Sequence, residues 1–404
     1  MKLLFTTCAL IVAMCSATAV ADDIVQFRSD AQHSGVYRTS APTGDVHMKW
    51  RFKTGNKVRS TPVAYKGMII FGSNDGNLYA VDELSGRQRW AFRTDGPVSS
   101  SPAVAGHTVF IQSGDGKLHA LEVETGKQRW AFTVGKELPF RNGIAPTDFG
   151  PPDYGLWDFF LSSPAVASDM VYFGGGDGTL YALDARTGKK LWTFSTTGRV
   201  RSTPAIDSGT VYFGSMDGTF FALDASTGIQ KWKFKTEGNE YFPAGEIQSS
   251  PAVVNGTVYF GSRDYYVYAL DAASGALRWK TQHKDSWVVG SPAVHDGMLF
   301  VGSSDGKFVQ ALDANTGKEK WHEKTGGNVF ASAAVAGDIV MFGDWDGALM
   351  MRDSKTGKVK LGILIEDRIN SSPIVHNGAV YFGGDDGYLY AIGTRTKAEP
   401  NTAR

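Results

Sequence analysis

The sequence predicts an all-β chain: a single eight-bladed β-propeller, closed by an N-terminal strand that completes the last blade. Three observations carry the prediction. A unit of about forty residues recurs eight times. Glycine is in excess, 48 of 404 residues, against a usual share of about 7% and with no collagen period, which calls for many turns between short strands. The two ends of the repeat array are incomplete, and each supplies what the other lacks.

Residues 1–21 read as a secretory signal peptide. Lys2 is a short positive start, Leu3 to Met14 are apolar, and Ala19-Val20-Ala21 offers a small-x-small cleavage site. The apolar run is shorter than the ~20 residues of a membrane span, and no later segment is apolar enough to be one. A periplasmic or otherwise extracytoplasmic chain starting near Asp22 is expected. Both cysteines, Cys8 and Cys15, lie in the signal, so cleavage leaves no disulfide, no cysteine nucleophile and no cysteine metal ligand. Val12-Ala13-Met14-Cys15 is a partial lipobox, and lipid anchoring at Cys15 is the lesser alternative because Met14 stands where a small residue is wanted. Residues 22–44 form a lead-in, 45–394 the propeller and 395–404 a tail.

Within 45–394 each unit opens on a proline position: Pro62, Pro102, Pro164, Pro204, Pro251, Pro292, Ala333 and Pro373. A turn aspartate follows at Asp75, Asp115, Asp177, Asp217, Asp264, Asp305, Asp346 and Asp386. Both series step by 40, 62, 40, 47, 41, 41 and 40 residues. Each unit divides into four strands. In the first, Pro62-Val63-Ala64 belongs to strand one and Met68 to Gly72 is strand two. The Asp75-Gly76 turn, which tolerates positive φ, leads to strand three at Leu78 to Val81. Ser85-Gly86 turns the chain again, and Trp90-Ala91-Phe92 begins strand four with both rings on one face. Four strands in about forty residues make a propeller blade. Trp50-Arg51-Phe52-Lys53-Thr54 is a fourth strand without a blade, and the last unit stops after strand three at Tyr390 to Gly393. Pairing them closes a ring and removes exposed edges; an open solenoid would have no use for such ends.

Trp50, Trp90, Trp130, Trp192, Trp232, Trp279 and Trp321 recur once per unit, with Leu361 in their place in the seventh. So regular a series reads as blade-to-blade docking rather than a ligand site. The turn aspartates read as backbone caps. With 41 Lys+Arg against 41 Asp+Glu, the chain lacks the basic surplus of a nucleic-acid binder. Hydrophobic residues at 42% exclude a disordered chain. The histidines are scattered without zinc spacing, so no metal site is expected, and no nucleophile elbow or phosphate loop is present.

Ala182-Leu183-Asp184-Ala185-Arg186-Thr187-Gly188-Lys189-Lys190-Leu191-Trp192 resembles the tryptophan-docking motif of the PQQ-repeat, or quinoprotein-like, propellers, as do Ala222 to Trp232 and Ala311 to Trp321. The resemblance covers nearly all of 45–394. It implies one of two branches. Quinoprotein dehydrogenases hold pyrroloquinoline quinone (PQQ) and calcium on the axis; BamB-type propellers are non-catalytic parts of the outer-membrane assembly machinery. This chain is much shorter than the dehydrogenases and lacks their adjacent cysteine pair. The resemblance therefore implies a monomeric scaffold within a complex, with envelope or outer-membrane proteins as partners and no cofactor. A PQQ-binding protein or small quinoprotein dehydrogenase is the alternative.

Departures from the repeat are the candidate sites. An insertion over 136–161 carries Arg141, Tyr154 and Trp157 among other aromatics, as a lid or as a binding surface. A second, Glu237 to Gln248, brings Tyr241, Glu246 and Gln248. Both precede a first strand and so leave the disc on one face. In BamB-type scaffolds the loops before neighbouring first strands meet the partner; Arg199, Glu246 and Gln248 match those positions. First strands line the channel, so the residue two places before each Ser/Thr-Pro pair should ring its mouth: Arg59, Ser99, Leu161, Arg201, Gln248, Val289, Phe330 and Asn370. Arg59 and Arg201, with Arg368 near by, would offer guanidinium groups to an anion, or else sit as paired rim charges.

Overall fold

The computed structural model describes residues 23–135 and 160–395. They contain no helix, and so none long and apolar enough to cross a membrane. The sheets are eight, one per repeat. The first blade runs Val63–Tyr65, Met68–Gly72, Asn77–Asp82 and Gln88–Arg93. Strand four thus begins two residues before Trp90, because a bulge opposite Ala80 and Val81 absorbs the extra residue. The last blade takes Val46–Lys53 as its outer strand, antiparallel to Tyr388–Thr394, with Arg51 opposite Tyr390. The ring is closed as the complementary ends predict.

The recurrent residues explain the seams between blades. Each tryptophan donates its indole N–H to a backbone carbonyl of the next blade: Trp50 to Glu83, Trp90 to Val123, Trp192 to Ala225, Trp232 to Ala272, Trp279 to Ala314 and Trp321 to Ser354, all at 2.9–3.0 Å. The Trp130 indole N–H has no such partner among the described residues. The indole face lies flat on the turn glycine of that next blade. A Cβ on Gly86 would come within 2.6 Å of Trp50, and φ there is +67°, so only glycine serves. The phenylalanine two residues after the tryptophan also points across the seam. Phe52 meets Phe71 and Tyr79, and Phe194 meets Phe213 and Phe221, edge to face. Such pairs add about 0.5–1.5 kcal/mol each beyond their buried area.

The turn aspartates cap backbone: Asp75 accepts from the N–H of Asn77, and Asp177 from that of Thr179. Their second oxygens take a tyrosine hydroxyl from strand three, as Tyr79 to Asp75 at 2.8 Å and Tyr268 to Asp264 at 2.6 Å. Blade seven departs from this. There Asp344, not Asp346, accepts from the backbone of Ala348.

The lead-in is part of the disc. Residues 24–39 form a strap that visits the first strand of every blade in order. Ile24 exchanges two backbone bonds with Ala64. Val104 donates to Val25, and Val166 to the Gln26 side chain. Ile206, Val253, Val294 and Val335 then donate to Ala31, Gln32, Ser34 and Gly35. Val36–Tyr37 adds a parallel fifth strand to blade seven beside Val335 and Ala336. Finally Thr39 donates to the Val375 carbonyl at 3.2 Å. Following this course costs backbone strain: Arg28, Ser29 and His33 hold φ of 62°, 81° and 57°.

Candidate functional site at the channel mouth

The first strands surround an axial channel with a floor, a wall and a mouth. The strap makes the floor. Phe27 closes the lumen from below. Beside it Arg28, only 2% exposed, donates to the carbonyls of Pro292 at 2.5 Å and Ala333 at 2.9 Å. Burial pulls its pKa down to about 10, so it stays cationic. Burial, with the Arg28 charge next to it, pushes His33 down to about 3, so this imidazole is neutral.

The wall is a ring of hydroxyls from the Ser/Thr that precedes each proline position. Thr61 N–H donates to Ser101 Oγ, Ser101 to Ser163, Ser163 to Thr203, Thr203 to Ser250, Ser250 to Ser291, Ser291 to Ser332 and Ser332 to Ser372, at 2.9–3.1 Å. Each hydroxyl meets the buried N–H of the preceding blade, which would otherwise be orphaned.

Above the ring, Arg59, Ser99, Leu161, Arg201, Gln248, Val289, Phe330 and Asn370 all face one lumen, as their register in the repeat predicts. The structure shows what each mouth cation meets. Arg59 makes a bidentate pair with Asp385, Nε to Oδ1 at 3.0 Å and Nη2 to Oδ2 at 2.7 Å, and Lys57 approaches the same carboxylate at 3.3 Å. Burial drives the Asp385 pKa up, but the bonds and charge of Arg59 and Lys57 outweigh it and hold it below the usual carboxylate range. Arg201 is buried in the wall and Arg199 half-buried on the rim. Glu246 and Gln248 are buried, not presented: Gln248 accepts from Arg263 at 2.6 Å, and burial, against the pull of Arg263, raises the Glu246 pKa. Arg141, Tyr154 and Trp157 lie outside the described residues.

Two aromatic–arginine clusters flank the mouth. In one, Phe242 from the second insertion meets Trp287 edge to face at 4.8 Å, with the Arg263 guanidinium over both rings. Asn239 ties the loop down by donating to the Arg263 carbonyl at 3.1 Å. Tyr241, at its tip, is 68% exposed. In the other, Trp345 stacks on Phe330 at 4.6 Å, donates to Asn370 at 2.8 Å, and carries Arg368 on its free face at 4.3 Å. Arg263, Trp287 and Trp345 escaped the sequence reading. The signal was present: Trp345 stands inside the Gly-Asp-x-Asp-Gly turn, where no other unit carries an aromatic residue.

The lumen has a volume of about 60 Å³. That admits a few waters and is well short of the ~300 Å³ or more of a small-molecule site. No group of three or more His, Cys, Asp or Glu among the described residues could hold a metal ion. The Asp385 carboxylate is already taken by Arg59.

The sequence matches the family described as "Outer membrane protein assembly factor BamB" over residues 15–146, 147–262 and 242–404. No curated protein matches it significantly. Among solved structures, it is similar to BamB from Moraxella catarrhalis at TM-score 0.71 and 19% identity, covering 86% of this chain and 99% of that one. It is similar to a europium-containing methanol dehydrogenase at 0.76 and 15%, covering 92% and 98%. It is also similar to the quinohemoprotein alcohol dehydrogenase of Comamonas testosteroni at 0.74 and 14%, covering 95% and 82%. At these identities the likeness is one of fold.

Proposed function

This chain belongs to the family of the outer membrane protein assembly factor BamB, and on that premise we propose that it is an exported, non-catalytic scaffold of the cell envelope. Its mouth face docks a protein of the outer-membrane assembly apparatus. The observation that carries this reading is the composition of that face. Two rigid aromatic–arginine clusters and the exposed Tyr241 surround a narrow lumen. Aromatic and arginine side chains are the residues in which protein interfaces concentrate their binding energy. Here they are preorganised by stacking, so docking loses little side-chain entropy.

The half-buried Arg199 and the exposed Arg368 offer guanidinium groups to carboxylates on a partner surface. Glu246 and Gln248 act beneath the mouth face, by fixing Arg263. Photo-cross-linking from position 241 or 368 in envelope preparations tests the reading. A single assembly-component adduct from both positions is the expected result. Adducts from neither, with an intact fold, would sink it.

A further inference from the structure

The face opposite the mouth holds a second cavity, larger than the lumen, of about 370 Å³. It lies between the strap and the first strand of blade eight. Its polar lining comes from Asp23, Ser29, Asp30, Arg38, Thr39 and His376, and its apolar lining includes Ile24 and Val375. The volume falls within the range of small-molecule sites, towards its lower end.

One lining residue points to a ligand. His376 is buried, and its Nε2 has no hydrogen-bond partner. The other ring nitrogen is engaged at 2.6 Å with Glu83 Oε1, which also accepts from Asn377 at 3.1 Å and Tyr381 at 3.3 Å. With Nδ1 held on the carboxylate, Nε2 is on the side of the ring away from Glu83. Glu83 is itself a departure from the repeat: the same place holds Ala185, Ala225, Ala272 and Ala314 in four other units. Docking of Trp50 uses the Glu83 carbonyl, while the Glu83 carboxylate crosses the same seam to hold the His376 ring in place. A buried polar group without a partner is costly, and an arrangement that maintains one needs something to meet it.

We propose that this cavity binds a small uncharged polyol, of the size of one sugar unit. The lining presents both senses of hydrogen bond. Asp23 and Asp30 accept; Arg38 donates; Ser29 and Thr39 do either, as does His376 Nε2 according to which ring nitrogen carries the proton. Asp30 already accepts from the Ser34 N–H and hydroxyl, and Asp23 from the Lys66 N–H, yet a carboxylate keeps further lone pairs. A hydroxyl is the group that both gives and takes a hydrogen bond, so a ring bearing several satisfies such a wall. An anion would face two carboxylates, and a simple cation, which cannot accept a hydrogen bond, would use only part of this wall.

The test is the ¹⁵N imidazole resonance of His376 in the full chain, assigned by its loss in His376→Phe. The probes are glucose and N-acetylglucosamine at millimolar concentration, with inorganic phosphate and putrescine as charged controls. The expected result is a saturable shift with at least one sugar and none with the charged probes. Arg38→Ala, at an exposed side chain, should weaken it about tenfold, the equivalent of one hydrogen bond. No saturable shift with either sugar, tighter binding of phosphate or putrescine, or an undiminished affinity in Arg38→Ala would each overturn the proposal.

Discussion

The two ends of the channel solve the same problem with different material. Both must close a hole lined by the inner edges of eight sheets. At the floor the closure is backbone. One extended strap hands a hydrogen bond to each blade in turn, and Arg28 fills the axis with its charge solvated by carbonyls. At the mouth the closure is side chain: the Arg59–Asp385 pair, stacked rings, and arginines laid over them. Where the strap's backbone makes the bond, side-chain identity matters little, and Arg28 is the exception on which the floor depends. Side-chain closure exposes distinct chemistry at every blade, and that end is the one fitted for recognition.

If the floor is structural, Arg28→Ala should be the most damaging single change. It leaves carbonyls unpaired and a void on the axis, at a cost of about 4 kcal/mol in chemical denaturation. An equal or smaller loss than for any mouth variant would break the contrast. Arg59→Met comes next, at about 3 kcal/mol, because it strands a buried carboxylate; adding Asp385→Leu should recover most of that loss. Trp345→Ala should cost about 1–2 kcal/mol in stability while abolishing the cross-link from position 368.

Acid sharpens the comparison further. The carboxyls of Asp385 at the mouth and Glu83 at the opposite face both sit below their ordinary values. For Glu83 too, burial acts upward, and the bonds from His376, Asn377 and Tyr381 outweigh it. A carboxyl with a lowered folded pKa contributes stability above its unfolded pKa and loses it as pH falls through the folded one. The denaturation midpoint should therefore hold steady above about pH 5 and fall below it, and the fall should be shallower in the Arg59→Met/Asp385→Leu double variant. Smallest of all, Tyr241→Ser should leave stability within about 0.5 kcal/mol while weakening partner capture.

What repeats was legible in the sequence, and what occurs once was not. Eight copies of one pattern gave the blades, the closing strand, the docking tryptophans and the ring of mouth positions, because a period fixes register without knowledge of contacts. The strap has no second copy. Arg28 and His33 carry no periodicity, and nothing local marks them as buried. The Arg59–Asp385 pair joins residues 326 apart, and register alone could not say which mouth side chains meet. Glu246 and Gln248 were placed at the right end of the channel but assigned to its surface, since a loop position does not reveal which way a side chain turns. Glu83 was readable in principle, as a charge in a column of alanines.

The strap also orders events in time. Arg28 finds the Ala333 carbonyl 305 residues later, and Thr39 finds Val375 after 336. Lys53, at the end of the closing strand, lies opposite Tyr388. The later part of the strap and the closing strand thus wait for partners made near the end of synthesis, although Ile24 finds Ala64 after only 40 residues. No N-terminal portion of this chain can complete its own ring, and the nascent chain must stay open until its final strand is made. Contacts this distant in sequence make folding slow. Until that final strand is made, Val46–Lys53 has no sheet to join, and the ring stays open at the seam between the last blade and the first.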